Sequence, residues 1–100
     1  MAKDYKISLR SDEPCDIYMV QSDGVLSCVV VESTIAYAEK LDSISDSEEF
    51  ILVCSKHRFA HRELAVTVVD DFALIDGAAC FEANLDDRLK EVLENAISGC

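Results

Sequence analysis

The segment KHRFAHR, residues 56–62, contains the side chains of this sequence that are best suited to binding a metal ion. His57 and His61 are the two histidines of the chain, and Cys54 precedes them at the spacing C-x2-H-x3-H. Imidazole nitrogen and thiolate sulfur are ligands that Zn²⁺ prefers, but a fourth ligand would have to come from elsewhere in the chain. The spacing raises a zinc-supported module as one hypothesis. The neighbouring positive charges disfavour it, because they repel a divalent cation.

The same segment carries lysine and arginine side chains in a chain that is otherwise acidic. Lys56, Arg58 and Arg62 lie here, whereas the formal charge of the 100-residue chain is −11. At the exposed tip of a hairpin these cations would relieve the repulsion among nearby carboxylates, and we favour this interpretation. A second interpretation is a secondary contact with an acidic patch on a partner, or on a second copy in a homodimer.

Residues arranged for catalysis are not evident in the sequence. It contains no nucleophile elbow, phosphate-binding loop, GxGxxG or HExxH motif. Adjacent carboxylates, such as those of Asp86 and Asp87, diverge on a strand or a helix and so do not form an acid–base pair. The five cysteines include no CxxC pair, and their odd number and wide spacing predict free thiols. We therefore predict a protein that is not an enzyme and needs no cofactor.

Long stretches of the chain carry negative charge alone. Neither residues 11–39 nor residues 63–87 contain a lysine or an arginine, while both are rich in aspartate and glutamate. Such stretches predict a strongly negative surface that phosphates repel, so we expect no direct binding to DNA or RNA. The apolar runs are too short to cross a membrane, and the N-terminus lacks an apolar signal core. These features predict a cytoplasmic protein that does not bind membranes.

Several carboxylates would form a row if a helix beginning at Ser33 ran on to residue 49. The row consists of Glu39, Asp42, Asp46 and Glu49, at positions i, i+3, i+7 and i+10. Neighbours in such a row are about 5–6 Å apart, a separation of the same order as that of successive phosphates in a nucleic-acid strand. The predicted contact residues are, first, Glu39, Asp42, Asp46, Glu48 and Glu49, and next Asp12, Glu13 and Asp16. The simpler interpretation, which comes first, is that these charges only keep the surface solvated.

The N-terminal half shows strand patterns followed by a helical one. Residues 5–10 alternate between apolar and polar side chains, which predicts a half-buried strand. Two β-rich runs, 15–21 and 25–31, flank Ser22-Asp23-Gly24 and predict a hairpin, because glycine tolerates the positive φ of a tight turn. Apolar residues at helical spacing after Ser33 predict the first helix.

The C-terminal half contains two apolar strands and a second helix. The runs 50–54 and 63–69 predict strands that the basic segment joins into a hairpin. Residues 70–83 stay open between a strand, a short helix and an irregular crossover. Asn84 is the expected N-cap of a C-terminal helix with a wide apolar stripe, and Gly99 is its expected end.

These elements predict one compact α+β domain over residues 1–100. Its order is βββ-α-ββ-x-α, a mostly antiparallel sheet with helices packed on one face. The order is similar to that of small dimeric secretion chaperones and of many small phage proteins, a resemblance of topology.

Charge and topology together favour a non-enzymatic acidic binding protein. We expect an inhibitor that presents clustered carboxylates to the basic, nucleic-acid-binding surface of a target protein. In size and charge the chain resembles phage and mobile-element antagonists such as anti-CRISPR and anti-restriction proteins. The alternative is a small dimeric chaperone or assembly adaptor that binds a partner segment through an apolar surface.

Overall fold

The computed structural model describes residues 2–10, 13–32, 35–44, 49–57, 63–69, 72–82 and 85–99, with the backbone alone for residues 2, 50, 52–57, 81 and 82. Within these ranges the chain forms strands and a C-terminal helix. The strands are β1 Ala2–Ser8, β2 Cys15–Ser22, β3 Val25–Val31, β4 Ala36–Ser43, β5 Phe50–His57, β6 Glu63–Val69, β7 Phe72–Ile75, β8 Ala78–Ala79 and β9 Phe81–Glu82, and the helix is α1 Asp87–Ser98.

The strands form two antiparallel sheets. The four-stranded sheet has the order β1-β6-β7-β8, and the five-stranded sheet has the order β4-β3-β2-β5-β9. Helix α1 packs against β3 and β4. The described chain is therefore broadly α+β and rich in sheet, as the sequence predicts.

The main core lies between the two sheets. Ile7 of β1 and Leu64 and Val66 of β6 come from the four-stranded sheet, and they pack with Ile17 and Met19 of β2. All five side chains are almost fully buried. The alternation of Ile7 with exposed neighbours confirms the half-buried first strand, because alternate residues of a strand point to opposite faces.

A second core lies on the other face of the five-stranded sheet, beneath α1. Tyr18 and Val20 of β2 and Val29 of β3 pack there against Leu93 of the helix. The central strands of this sheet are thus covered on both faces, which explains why β3 is apolar at almost every position instead of alternating.

Two aspartate–glycine pairs make tight turns within the described residues. Asp23 and Gly24 connect β2 to β3 with φ values of 53° and 74°, and Asp76 and Gly77 connect β7 to β8 with φ values of 49° and 84°. Positive φ at both central residues is the type I′ geometry, whose twist matches that of the flanking strands. The first turn confirms the predicted hairpin. The second shows that part of the open stretch 70–83 is also a hairpin.

The prediction of a helix after Ser33 is wrong. Residues 36–43 form β4, which pairs with β3 over its whole length. Because β3 is buried on both faces, its outer backbone groups need hydrogen-bond partners, and a neighbouring strand provides them. Leu41 has no partner in β3, since the register shifts there, and this β-bulge lets the consecutive residues Leu41 and Asp42 both face the four-stranded sheet.

The predicted second hairpin is also wrong. β5 pairs with β2 and β9, whereas β6 pairs with β1 and β7, so consecutive strands enter different sheets. The stated order βββ-α-ββ-x-α is therefore not observed. At the C-terminus the predicted helix is present and ends at Gly99, but its N-cap is Asp86 instead of Asn84.

Across the described ranges, no helix has both the length and the apolarity that crossing a membrane requires.

Candidate partner-binding surface

The carboxylates predicted to form a helical row are distributed differently in the structure. Glu39 and Asp42 lie on β4, and Glu49 immediately precedes β5. Glu39 pairs opposite Cys28 and Asp42 opposite Leu26, so both carboxylates are on the face of β4 that looks toward the four-stranded sheet. The predicted row required a helix through these residues, whereas Glu39 and Asp42 lie on a strand. Asp12, Asp46 and Glu48 lie outside the described residues.

Asp42 is engaged in contacts between the two sheets. Its Oδ2 accepts hydrogen bonds from Lys3 Nζ at 3.0 Å and from the Tyr5 hydroxyl at 2.9 Å, and its Oδ1 accepts one from the backbone N–H of Ser43 at 2.8 Å. The Lys3 contact is also an ion pair. These donors, with Lys3 first, hold the pKa of Asp42 below its usual value. The carboxylate is therefore compensated within the chain and is poorly placed to attract a partner.

The other predicted contact residues lie at separate places on the surface. Glu39 and Glu13 are exposed, on β4 and before β2 respectively. Glu49 is exposed and accepts a 3.4 Å hydrogen bond from the Ser22 hydroxyl, which brings it beside the β2–β3 turn. Asp16 is half-buried at the start of β2.

The start of β2 lies close to the start of α1. Burial raises the pKa of Tyr18, and the carboxylates of Asp16 and Asp86 raise it further. Since Asp86 is the N-cap of α1, these two carboxylates approach the same phenol from the strand and from the helix. Negative charge next to a helix N-terminus is favourable. The carboxylates near the start of α1 therefore stabilise the helix and also make the surface potential more negative.

A carboxylate row does occur on the helix that the structure contains. Asp87, Glu91 and Glu94 are at positions i, i+4 and i+7 of α1, so they lie along one side of the helix. All three are exposed. Within the described ranges none of the three side chains forms an ion pair or a hydrogen bond. We call these residues the α1 row.

The orientation of the α1 row is fixed by the buried side of the helix. Leu93 is buried beneath α1, and Leu89 packs beside it on the second core. Asp86 Oδ1 accepts a hydrogen bond of 2.7 Å from the Leu89 N–H and fixes the first turn. At 100° per residue, Arg88 and Lys90 flank the row on its two sides. The row is thus a negative ridge with cations on its flanks.

A groove continues from the C-terminal end of the α1 row to the β2–β3 turn. Its volume is about 460 Å³. The residues that line it combine apolar, hydroxyl and carboxylate side chains, and they are Val20, Ser22, Asp23, Val25, Ser27, Glu94, Ile97 and Ser98.

The basic segment, residues 56–62, does not connect two strands of a hairpin as predicted. Lys56 belongs to β5, and Arg58 and Arg62 lie outside the described residues. Because β5 and β6 belong to different sheets, the segment connects two sheets instead of closing a hairpin. Its role as a secondary contact or dimer loop stays a prediction.

The residues proposed for zinc lie mostly on β5. The backbone of Cys54 pairs with Ile17, and that of His57 pairs with Cys15, so His57 is in a strand instead of a helical turn. His61 lies outside the described residues. Among the side chains that the structure describes, no three from His, Cys, Asp and Glu are grouped to hold a metal ion.

Among the side chains that the structure describes, three cysteines have buried thiols. They are Cys15, Cys28 and Cys80, all in the main core. Burial raises the pKa of Cys28, and the nearby carboxylate of Glu39 raises it further. A thiol with a raised pKa is protonated at neutral pH and is a weak nucleophile. These cysteines therefore act as small hydrophobic residues of the core.

The α1 row was not among the contact residues predicted from the sequence. The spacing argument that identified it was applied to residues 39–49, whereas the C-terminal helix carries the same pattern at Asp87, Glu91 and Glu94. Helical spacing could not identify Asp23, which lines the groove together with Glu94. Asp23 is distant from α1 in the sequence, and only the fold brings the two together.

The fold and this surface define a small acidic α+β protein with two antiparallel sheets, one described helix and an exposed carboxylate row. No family model, curated protein or solved structure matches the chain.

Proposed function

We propose that this protein is a non-enzymatic, cytoplasmic inhibitor that presents carboxylates to a basic surface of a target protein. The target surface is one that normally binds nucleic acid, and the protein occupies it in place of the phosphate backbone. The observation that carries this proposal is the α1 row, in which Asp87, Glu91 and Glu94 are exposed and form no ion pair or side-chain hydrogen bond among the described residues.

The dimensions of the α1 row suit this role. A helix rises about 1.5 Å per residue, so the row extends about 10 Å along the axis of α1. Neighbouring members are about 5–6 Å apart at their Cβ atoms, which lets successive lysine or arginine side chains of a basic groove each meet a carboxylate. The rigid helix holds these charges in place before binding, which lowers the entropy cost of association.

The overall charge supports the same function. With a formal charge of −11, the chain attracts a basic surface over a distance of about one Debye length, roughly 8–10 Å at physiological salt. Such attraction accelerates encounter and disfavours acidic partners. The resemblance in size and charge to anti-CRISPR and anti-restriction proteins is consistent with a target of this kind, although it rests on no shared motif.

The apolar-surface alternative has less support from the described surface. A chaperone or adaptor of that type needs a contiguous exposed apolar patch. Among the described residues, the large hydrophobic side chains that are exposed are Ile35 at 47% and Phe72 at 42%. Ile35 precedes β4 in the five-stranded sheet, whereas Phe72 begins β7 in the four-stranded sheet, so they belong to different sheets.

A pair of matched variants tests the proposal. Glu91→Gln with Glu94→Gln removes two charges from the α1 row, and Glu39→Gln with Glu63→Gln removes two from exposed strand positions. The two variants have the same net charge and the same substitution chemistry. A partner is first isolated with the wild-type protein from cells that express it, and its affinity for all three proteins is then measured at increasing NaCl concentrations.

We expect the α1 variant to bind about tenfold more weakly at low salt and the strand variant to bind within about twofold of wild type. The wild-type affinity should fall steeply with salt, and nucleic acid should compete for the target. Equal affinities for the two variants, with both folded by circular dichroism, would overturn the proposal. Binding that is insensitive to salt would instead favour the chaperone alternative.

A further inference from the structure

The lining of the groove between the β2–β3 turn and α1 includes the serine Ser27. Ser27 lies in β3, directly opposite Val20 of β2, and is only 5% exposed. Its side chain lines the groove. Within the part of the chain that the structure describes, the Ser27 hydroxyl has no side-chain hydrogen-bond partner. Among the described residues no fully buried side-chain nitrogen or oxygen lacks a hydrogen-bond partner, so the Ser27 oxygen is in reach of the groove that Ser27 lines, where a ligand can bond to it.

The rim of the groove is negative. Asp23 on the turn and Glu94 on α1 both line it, and both side chains are exposed. The last turn of α1, with Ile97 and Ser98, forms one wall, and this turn contains no basic residue. The negative end of the helix dipole therefore adds to the potential of the two carboxylates instead of being neutralised.

Apolar side chains also line the groove. Val20 and Val25 contribute from the hairpin, and Ile97 contributes from the helix. A lining that combines apolar side chains, a hydroxyl and two carboxylates suits a ligand side chain that has an aliphatic stem and a cationic end group. Lysine and arginine are such side chains, because their methylene groups pack on apolar surface while the charged group stays with polar partners.

We propose that the groove receives one lysine or arginine side chain of the protein partner. Its aliphatic stem packs on Val25 and Ile97, and its cationic group donates hydrogen bonds to the Ser27 hydroxyl and to the carboxylates of Asp23 and Glu94. This inference rests on the proposed function, which it refines: the α1 row provides attraction to a basic surface, and the groove selects one cation of that surface for close contact.

Lys40 provides a further test of whether the ligand of the groove is a cation. It pairs opposite Ser27 on β4, so it lies on the same face of the sheet beside the groove, and it is exposed. No described residue forms an ion pair with it. A cation in the groove is repelled by the Lys40 ammonium group. Removing that charge should therefore strengthen the binding of a cationic ligand.

Blocked tripeptides provide suitable probes of the groove. Each has one central residue between two glycines, and the central residue is arginine, lysine or citrulline, which has the shape of arginine without its charge. Titration of the ¹⁵N-labelled full chain is followed by NMR. We expect saturable shifts of the Val25, Ser27 and Ile97 amide signals with the arginine and lysine peptides, and at least fivefold weaker binding of the citrulline peptide.

Single substitutions separate the groove from other exposed carboxylates. Ser27→Ala should weaken arginine-peptide binding about fivefold, whereas Ser27→Thr, which keeps the hydroxyl, should retain most of it. Glu63→Gln should leave peptide binding within about twofold of wild type, because Glu63 lies on β6 in the four-stranded sheet and does not line the groove. Lys40→Gln should tighten binding about two- to threefold, and this variant tests the inference even if Ser27→Ala fails to fold.

Several results would overturn the inference. These are equal binding of the citrulline and arginine peptides, an unchanged affinity in a folded Ser27→Ala variant, weaker binding by Lys40→Gln, and shifts centred on Asp87 and Glu91 instead of the groove. Saturable shifts of the same amides by Mg²⁺ alone, without peptide binding, would make the groove a metal site and would also overturn it.

The two proposals can fail separately. If Ser27→Ala leaves peptide binding unchanged while the double variant of Glu91 and Glu94 loses the target, the groove assignment is wrong and the proposed function stands. If the peptides fill the groove but the double variant keeps its full affinity for the target, the proposed function is wrong.

Discussion

The hydroxyl of Tyr5 donates a hydrogen bond of 2.9 Å to the carboxylate of Asp42 and thereby joins the two sheets at their edges. Tyr5 lies on β1, an edge strand of the four-stranded sheet, and Asp42 lies on β4, an edge strand of the five-stranded sheet. Lys3, on the same strand as Tyr5, adds an ion pair to the same carboxylate oxygen. The contact closes one side of the main core, where Tyr5 and Leu41 pack on it.

Replacing Tyr5 with phenylalanine should reduce stability. The substitution removes a hydrogen bond to a charged group while keeping the ring, so we expect the free energy of unfolding to fall by about 1 kcal/mol at neutral pH. Urea denaturation followed by circular dichroism measures this change. Tyr37→Phe is a suitable comparison, because it removes the 3.0 Å bond from the Arg10 N–H to the Tyr37 hydroxyl but keeps the Arg10 guanidinium over the ring. A Tyr5→Phe variant as stable as wild type would show that the bond contributes nothing.

The same contact makes stability depend on pH at both extremes. Burial and the Asp42 carboxylate raise the pKa of Tyr5 from 10.0 to about 12, so its contribution is complete below pH 10 and is lost as the pH rises through about 12. Lys3 and Tyr5 lower the pKa of Asp42 from 3.8, so its contribution is present above that value and is lost as the pH falls below it. Tyrosinate absorbance should show that Tyr5→Phe removes one group that titrates near pH 12. An unchanged alkaline titration would contradict this assignment.

The two glycine turns should differ in their tolerance of alanine. At Gly24, with φ +74°, an added Cβ would lie 3.0 Å from the backbone oxygen of Ile44, whereas at Gly77, with φ +84°, it would meet nothing within 4 Å. Gly77→Ala should cost about 1 kcal/mol for the left-handed backbone alone. Gly24→Ala should cost about 2 kcal/mol or more, because it also disturbs the 2.7 Å bond from the Ile44 N–H to the Gly24 oxygen. Urea denaturation of both variants tests the order, and equal losses would argue against the close approach at Gly24.

The N-cap side chain of Asp86 should contribute to the stability of α1. Asp86→Ala removes the acceptor of the 2.7 Å bond from the Leu89 N–H, and we expect it to lower the free energy of unfolding by about 1 kcal/mol. Asp86→Ser should recover most of this loss, since serine is also a good N-cap residue. Thermal and urea denaturation give the comparison. If Asp86→Ala and Asp86→Ser were equally stable, the cap would have to lie elsewhere.

The buried thiols should be unreactive in the folded protein. Because burial raises the pKa of Cys28, it should stay protonated even at pH 9.0, the ordinary pKa of a thiol. Iodoacetamide treatment followed by peptide mass spectrometry should leave Cys15, Cys28 and Cys80 unmodified in buffer and should modify them fully in urea. Alkylation of Cys28 in buffer at the rate measured in urea would contradict its position in the main core.

Local patterns in the sequence predicted the elements that depend on local interactions. The β2–β3 hairpin follows from Asp23 and Gly24, whose positive φ values suit a two-residue turn. The apolar stripe around Leu93 identified α1, and the alternation at Ile7 identified β1. The turn at Asp76 and Gly77 carries the same signal and could have been predicted in the same way.

Other features depend on the assembled sheets and could not be derived locally. Residues 36–43 combine alanine, glutamate, lysine and leucine, which favour a helix, but β3 requires a paired neighbour and this requirement prevails. The division of β5 and β6 between two sheets has no local signature either. For the candidate site, the predicted contact residue Asp42 forms an ion pair with Lys3, and a carboxylate row of the predicted helical spacing occurs on α1.

The irregularity at Leu41 has a consequence for the behaviour of the protein at high concentration. Among the described strands β4 is at an edge of the five-stranded sheet, and a long regular edge is a template onto which further chains can add and grow into fibres. The bulge at Leu41 breaks the regular spacing of the outward-facing backbone groups, and Glu39 and Lys40 place charged side chains beside it. Both features disfavour the addition of another chain at the edge of β4.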